Sequence, residues 1–240
     1  MRPTALVTGG AARVGRGIVE ELANTGFDVG IHYRGSADDA DAVAQTCREA
    51  GADAWTVRAD LADPVQVESV AAAVHSRWKR LDLLVNNAAI FEAVPFADID
   101  LAAWDRMQAI NVRAPFLLSR GLLEPLLAAR GLVVNLCDIG ADRPVRGYAH
   151  YSVSKAGLVM LVKAMAVELA PIRCVGISPG QVEWPNDYSE ARRAALSKRI
   201  PLGRAGEPAD IARLVRFLAQ EGAYINGEII AVDGGLSKRY

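Results

Sequence analysis

The stretch 4-TALVTGGAARVGRGIVEELANTG-26 decides the fold of this chain. It begins as a short apolar run, passes through a glycine-rich turn and continues directly into a helical pattern. In that pattern Val14, Ile18 and Leu22 recur at helical spacing on one face, and Gly26 is a typical helix stop. The stretch therefore predicts a strand, a tight turn and a helix in direct succession.

Similar apolar runs alternate with longer helical patterns along the rest of the chain. They are rich in Val, Ile and Leu and show little alternation, as expected for strands covered on both faces. The predicted strands are 4-TALVT, 28-DVGIHY, 54-AWTVRA, 82-DLLVNN, 132-LVVNLC, 172-IRCVGIS and 228-EIIAVD. No linker or repeat divides residues 1–240. We therefore predict a single-domain, Rossmann-like α/β fold, a doubly wound parallel sheet of about seven strands with helices on both faces.

One segment breaks this alternation. Residues 179–208 are rich in Pro, Gly and charge, with a single helical stretch near 189–199. Long loops of this kind in compact domains are often lids or binding loops. We predict a substrate lid over residues 181–207.

Composition excludes several classes of function. Apolar residues make up 51% of the chain and the net charge is −1, so there is no electrostatic footprint for nucleic acid or an anionic membrane. The pattern of a signal peptide is absent, and no apolar run approaches the ~20 residues of a membrane span. Cys47, Cys137 and Cys174 show no metal-ligand spacing and are predicted to be buried, inert thiols. These features predict a cytoplasmic protein without a metal site.

The glycine-rich turn predicts a dinucleotide site. Closely spaced glycines let the backbone approach a pyrophosphate, and the N-terminus of the following helix supplies N–H donors and a positive dipole. Folds that bind NAD place an Asp or Glu at the end of the second strand. This chain has 32-HYRGS-36 there, where Arg34 and Ser36 could meet a 2′-phosphate, and Arg13 adds a second cation. We predict NADPH as the cofactor, although Arg34 could be a solvated surface residue and Ser36 a helix cap of the capping-box type.

A tyrosine and a lysine four residues apart predict proton transfer. Tyr151 and Lys155 share one face of a predicted helix that begins near residue 149. A phenol is a poor acid near neutral pH, and a nearby ammonium group would lower its pKa and make it a better proton donor. A surface Tyr–Lys pair at helical spacing is the alternative.

The order of these motifs resembles the short-chain dehydrogenase/reductase family over essentially the whole chain. The shared motifs are T-G-x-x-x-x-x-G from Thr8 to Gly15, 60-DL, 86-NNAA, Asn111, Y-x-x-x-K and 179-PG. The resemblance implies that Asn111 holds a water that links Lys155 to solvent. From the patterns and the resemblance together, the predicted cofactor-binding residues are Gly9, Arg13, Val14, Gly15, Tyr33, Arg34, Ser36, Asp60, Leu61, Asn87, Ala88, Pro179 and Gly180.

Asp138 stands where that family has a catalytic serine or threonine, thirteen residues before Tyr151. An ionised carboxylate only accepts hydrogen bonds, so it would repel a ketone oxygen and favour a substrate that presents N–H. Together with Arg13 in the glycine turn and Phe91, Asp138 resembles the pteridine reductases and dihydromonapterin reductases within the family. We therefore predict NADPH-dependent reduction of a dihydropterin, possibly also of dihydrofolate, with Asp138, Tyr151, Lys155 and Asn111 as catalytic residues. The predicted substrate contacts are Arg13, Phe91, Asp138, Tyr151 and Trp184, with Phe91 stacking on the ring and Trp184 on the lid.

Three points stay open at this stage. A carbonyl or 3-oxoacyl-thioester reductase of the same fold is the alternative activity, and a non-catalytic NADPH-binding protein is a further one. Asp138 could simply cap a turn. The resemblance also implies a homotetramer in which Arg239 or Tyr240 approaches a neighbouring subunit's site, and a disordered tail is the alternative.

Overall fold

The computed structural model describes residues 2–184 and 188–239 and contains one seven-stranded parallel sheet. Its strands lie in the order β3-β2-β1-β4-β5-β6-β7. Since the order reverses between β1 and β4, a crevice forms there at the carboxyl ends of the strands, where such folds bind ligands. The strands are β1 (Thr4–Val7), β2 (Asp28–Tyr33), β3 (Ala54–Arg58), β4 (Leu83–Asn86), β5 (Leu132–Leu136), β6 (Arg173–Pro179) and β7 (Ile229–Val232).

Helices cover both faces of the sheet. Ala5 and Val7 of β1 belong to a core layer on one face, whereas Leu6 belongs to a second core layer on the other face. This arrangement explains why the strands read as continuous apolar runs. The helices are α1 (Arg13–Asn24), α2 (Ala37–Glu49), α3 (Pro64–Arg77), α4 (Leu101–Gln108), α5 (Ala114–Gly121), α6 (Leu123–Ala129), α7 (Ala149–Glu168), α8 (Glu190–Ser197) and α9 (Pro208–Gln220).

The predicted fold class is confirmed, and one local prediction is corrected. Ser36 stands at the N-cap of α2, but its hydroxyl makes no capping hydrogen bond, so the predicted capping box does not form. The hydroxyl is thereby left available at the end of β2.

The two ends of the predicted lid are bonded to each other. Val182 and Gly206 form an isolated parallel bridge, and the Glu183 N–H donates to the Gly206 carbonyl at 3.1 Å. Within the lid, α8 begins after Ser189, whose hydroxyl accepts from the Arg192 N–H. The lid therefore ends beside its own starting point, just before α9 begins. Opening of the loop stays a prediction.

In the part of the chain that the structure describes, no helix is long and apolar enough to cross a membrane. The same residues contain no cluster of side chains that could hold a metal ion. Cys47, Cys137 and Cys174 are free and buried, and burial raises the pKa of each thiol, to about 11 for Cys47. The prediction of buried cysteines is therefore confirmed.

Candidate active site

The glycine turn between β1 and α1 is held against the end of β4. A β-carbon on Gly15 would overlap the Gly9 carbonyl oxygen and lie 2.6 Å from Asn87 Nδ2. The Asn87 amide donates to the Thr8 carbonyl at 2.8 Å, and the Ala88 N–H donates to the Thr8 hydroxyl at 3.0 Å. Asn87 and Ala88, predicted to back the cofactor, thus fasten the turn that would receive it.

The first turn of α1 is open to an anion. Ala12 at its N-cap provides no side-chain acceptor, and the first turn contains no acidic residue. The N–H groups of this turn therefore lack a capping partner, which is the usual arrangement for binding a phosphate. The residues present fit the pyrophosphate of a dinucleotide.

His32 supports the glycine turn from β2. Its Nδ1 accepts the Gly9 N–H at 3.1 Å, so Nε2 carries the proton and donates to the Ala59 carbonyl at 3.1 Å. Burial lowers the pKa of His32 below its usual value of 6.5. A second ring proton would abolish the acceptor for Gly9. Sequence reasoning missed this role.

A pH-dependent loss of stability follows from His32. Its folded-state pKa is depressed, so its contribution to stability is present above pH 6.5 and is lost as the pH falls from 6.5 toward the folded-state pKa. We expect the melting temperature to fall between pH 7.5 and pH 5.5 more steeply in the wild type than in His32→Asn, which cannot titrate. Circular dichroism melts at the two pH values measure the difference. Equal slopes would contradict the assignment.

Two arginines stand at the ends of β2 and β3. Arg34 follows β2, and its carbonyl accepts from Arg58 Nε at 3.2 Å. Arg34 lines a cavity of about 150 Å³ together with Asp60, Leu61 and Ala88, which are predicted to bind the cofactor. Arg58, which pairs in register with Tyr33, adds a second cation that sequence reasoning missed. The register of two parallel strands would have indicated it.

Arg13 lies in the turn with a left-handed backbone, at φ 49°. Glycine adopts this conformation readily, whereas a residue with a side chain adopts it only at a cost. The Arg13 guanidinium pairs with Glu183 of the lid at 3.3 Å. The side chain predicted to meet phosphate and substrate therefore links the glycine turn to the lid.

Tyr151 and Asp138 share a hydrogen bond at the end of β5. The Tyr151 hydroxyl donates to Asp138 Oδ2 at 2.8 Å, while Oδ1 accepts the Gly140 N–H at 2.6 Å. Asp138 therefore caps the short 3-10 turn Ile139–Ala141 and holds the tyrosine at the same time. Both of its oxygens are engaged.

The pKa of Tyr151 is raised, whereas the sequence predicted that Lys155 would lower it. Burial raises it, and the Asp138 carboxylate raises it further through its charge and its hydrogen bond. Lys155, predicted to lower it, donates to the Leu136 carbonyl at 2.7 Å, and its Nζ lies 5.8 Å from the centre of the tyrosine ring. Burial also lowers the pKa of Lys155. The phenol is thus held in its protonated form.

Asn111 lies in the π-helical turn Ala109–Arg113 that joins α4 to α5. Its Oδ1 accepts the Ile90 N–H at 3.0 Å, and its Nδ2 donates to the Ile90 carbonyl at 3.1 Å and to Ser154 at 3.0 Å. Single π-turns inside helices are frequent at functional sites. The predicted water relay stays a prediction, since the amide is seen to join the loop after β4 to α7.

Phe91 forms an aromatic group with two tyrosines. It stacks on Tyr148 with ring centres 4.3 Å apart and meets Tyr151 edge-on at 4.7 Å. Tyr148 thus covers one face of the Phe91 ring, which remains 61% exposed. Sequence reasoning missed Tyr148, although it lies one helical turn before Tyr151.

Pro179 and Gly180 close the other side of the site at the end of β6. A β-carbon on Gly180 would lie 2.7 Å from the Asp233 side chain, so this position requires glycine. Trp184 lies further along the lid and lines a cleft with Ile139, the residue after Asp138. Arg239 lies at the same cleft of its own chain, where its guanidinium donates to the Lys198 carbonyl at 2.9 Å. Tyr240 lies outside the described residues.

The fold and these residues define a nicotinamide-dependent oxidoreductase of the short-chain type, and comparison with known proteins agrees. Residues 9–237 match the family described as Enoyl-(Acyl carrier protein) reductase. The chain belongs to the short-chain dehydrogenase/reductase family.

Named relatives cover nearly all of the chain. It is 34% identical to a 3-oxoacyl-[acyl-carrier-protein] reductase FabG of Staphylococcus epidermidis over 98% of this chain and 99% of the relative. It is 32% identical to a 3-oxoacyl-[acyl-carrier-protein] reductase of a Synechocystis species over 97% and 96% of the two chains. A solved structure of a blue fluorescent protein from a metagenomic library, in complex with NADPH, is similar with a TM-score of 0.90, 32% identity and coverage of 98% and 97%.

The predicted pterin activity is wrong. Several relatives that span the chain are named 3-oxoacyl-[acyl-carrier-protein] reductases rather than pteridine reductases, so the alternative carbonyl activity is favoured. In the structure Asp138 holds the Tyr151 hydroxyl and caps the turn at Gly140, so its place in the sequence is explained without a substrate N–H. The prediction had assumed a carboxylate free to face a ring N–H. The predicted stacking of Phe91 on a pterin ring depended on that substrate and is withdrawn with it.

Proposed function

We propose that this protein is an NADPH-dependent reductase of 3-oxoacyl thioesters or closely related 3-oxo carbonyl compounds. The proposal is supported by a connected set of Tyr151, Lys155 and Asn111 around α7, in a chain that leaves the N-terminus of α1 uncapped and whose relatives carry that name. When bound, NADPH supplies a hydride that adds to the carbonyl carbon. The protein's own task is to hold that carbon in place and to deliver one proton to the carbonyl oxygen.

Tyr151 is the proposed proton donor. It is 7% exposed and lies beside Phe91, so its hydroxyl works in a largely dry, aromatic environment. In the free protein that hydroxyl donates to Asp138. To protonate a carbonyl oxygen it must turn away from the carboxylate. The alcohol forms once the C–H and O–H bonds are made, and the tyrosine is then reprotonated from its surroundings.

The activity test is direct. The purified chain is mixed with NADPH and an acetoacetyl thioester, and the loss of NADPH absorbance is followed. A separate reaction uses ethyl acetoacetate in place of the thioester. We expect turnover with both compounds and less with NADH. Absence of turnover with any 3-oxo compound would overturn the proposal.

Asp138 limits the reaction at neutral pH. A hydrogen bond to a charged group contributes about 1.5–3 kcal/mol, so releasing Tyr151 from the carboxylate slows proton delivery about tenfold or more. We expect Asp138→Ser, which restores a hydroxyl, to raise kcat/KM for ethyl acetoacetate at pH 8 by about tenfold. The gain should appear in kcat, because the serine hydroxyl holds Tyr151 less tightly than the carboxylate does.

Asp138→Asn is the matched control, since it removes the charge but keeps the shape. Steady-state rates of the three proteins at pH 8 measure the effect. A large loss of activity in both variants would mean that Asp138 supplies the proton itself, and would contradict this account.

The choice of NADPH rests on the cations beyond β2. Arg34 and Arg58 lie together, and the Arg34 and Ser36 side chains have no hydrogen bond or ion pair to any residue that the structure describes. We expect Arg34→Ala and Arg58→Ala each to raise the KM for NADPH about tenfold while leaving the KM for NADH nearly unchanged. Initial rates with the two cofactors measure the split. Equal effects on both cofactors would show that the arginines do not bind a 2′-phosphate.

Two further features of the proposed protein remain predictions. A cytoplasmic location agrees with the three free, buried cysteines. A homotetramer agrees with large apolar side chains that are exposed on α4, α5 and α7, among them Leu101, Phe116 and Val167.

A further inference from the structure

A cleft of about 610 Å³ opens beside the proposed catalytic pair. It lies between the loop after β5, the lid with α8, and the C-terminal 3-10 turn Leu236–Lys238. Its inner end includes Ile139 and Gln181, the residues that follow Asp138 and Gly180. The lining residues are Ile139, Arg143, Val145, Gln181, Trp184, Leu196, Arg199, Ile200, Leu236 and Arg239.

Most of this lining is apolar. Ile200 is buried, and Trp184, Leu196 and Leu236 are half-buried around the cleft. Such a surface accepts a hydrocarbon chain, because burying apolar area is favourable in proportion to the area removed from water. The cleft is far larger than a small ketone requires.

Three arginines share the same cleft. Arg143 donates to the carbonyls of Leu236 and Arg239, and Arg239 donates to the carbonyl of Lys198. The guanidinium of Arg199 has no hydrogen bond or ion pair to any residue that the structure describes. Over residues 2–184 and 188–239, none of the three forms an ion pair with a carboxylate.

Like charges that converge without a counter-ion repel one another. Since Arg143 and Arg239 are positioned only by backbone carbonyls, their remaining N–H donors are available to an anion. Guanidinium groups bind carboxylate and phosphate through paired hydrogen bonds. An apolar cleft with a cluster of arginines is suited to a ligand that has a hydrocarbon stem and an anionic end.

We infer that this cleft selects 3-oxo substrates that carry a phosphate or a carboxylate at the end of an apolar stem, bound by Arg143, Arg199 and Arg239. The inference rests on the proposed function, since it names the part of the substrate away from the reacting carbonyl. A phosphate would belong to the carrier arm of a thioester, and a carboxylate would belong to the acyl chain itself. Both chemistries fit the arginines.

The test measures binding without turnover. The full chain, saturated with NADP⁺ so that the nucleotide site is filled, is titrated by calorimetry with octyl phosphate, octanoate and 1-octanol. We expect at least one anion to bind more tightly than 1-octanol, and Arg199→Gln to weaken that binding about three- to tenfold. Arg199→Lys should restore part of the loss. Tighter binding of octyl phosphate would indicate that the arginines recognise the phosphate of a carrier arm. Tighter binding of octanoate would indicate that they recognise a carboxylate on the acyl chain.

Arg146→Gln is the control, because Arg146 is exposed, lies outside the cleft and carries the same charge. Its anion binding should equal that of the wild type. The inference is overturned if 1-octanol binds as tightly as the anions, or if Arg199→Gln and Arg146→Gln behave alike. Failure of the proposed function is distinct, since it would appear as absent turnover of every 3-oxo compound while anion binding to the cleft persists.

Discussion

Tyr151→Phe is expected to lower kcat for ethyl acetoacetate by roughly 10²- to 10⁴-fold, the usual contribution of a positioned general acid. The variant loses only the hydroxyl oxygen, so the ring contact with Phe91 is kept. The hydroxyl of Ser154, one turn further along α7, donates to the Tyr151 carbonyl at 2.7 Å. Steady-state rates with saturating NADPH measure the loss.

Cofactor binding separates a chemical role of Tyr151 from a structural one. The dissociation constant for NADPH, followed by its fluorescence, should change less than about threefold, because the cofactor's phosphates would be held at α1 rather than α7. The melting temperature should stay close to that of the wild type, or rise, since the buried phenol is replaced by an apolar ring. A variant that turns over like the wild type would support a non-catalytic NADPH-binding protein instead.

Gly15→Ala is expected to destabilise the protein and to weaken NADPH binding about tenfold or more. The added methyl group would overlap the Gly9 carbonyl oxygen and approach Asn87 Nδ2 at 2.6 Å, so the turn must move away from the end of β4. Forcing a methyl group into a packed site costs about 1–3 kcal/mol. The same movement displaces the N–H groups that would bind the pyrophosphate.

Gly157→Ala is the matched control on a different helix. Its β-carbon would lie 3.6 Å from the Val112 side chain, an ordinary contact, and alanine is favoured over glycine inside a helix. We expect its melting temperature to be equal to or above that of the wild type, with unchanged NADPH affinity. Chemical denaturation and NADPH titration of both variants give the comparison. Gly15→Ala with the stability and affinity of the wild type would contradict the packing argument.

The glycine turn and the Tyr–Lys pair could be predicted from the sequence because they depend on local periodicity. The strand, glycine turn and first helix follow one another without a gap, and their residues meet within a few positions of one another. Tyr151 and Lys155 are one helical turn apart, so any helix through them places both on one face. The parallel sheet was equally readable, since its doubly covered strands leave long apolar runs.

The Asp138–Tyr151 pair marks the limit of that reading. The sequence shows that a carboxylate occupies the serine position, but it does not show which groups the carboxylate's two oxygens accept from. In the structure they accept from Tyr151 and Gly140, and the pKa of the phenol rises where the Tyr–Lys spacing alone predicted a fall. The substrate was inferred from a carboxylate without partners, and the named relatives contradict it.

The fold class, the nicotinamide cofactor and the helix that carries Tyr151 and Lys155 could be predicted from the sequence, because they depend on the repeat of apolar residues and on glycine at positions with no room for a side chain. Only the tertiary structure decided that Arg13 meets Glu183 across the nucleotide end and that Arg143, Arg199 and Arg239 share one cleft. Those residues lie far apart along the chain. Hydrogen bonds and charges act over a few ångströms in space, so such partners emerge only when distant loops are brought to the same edge of the sheet.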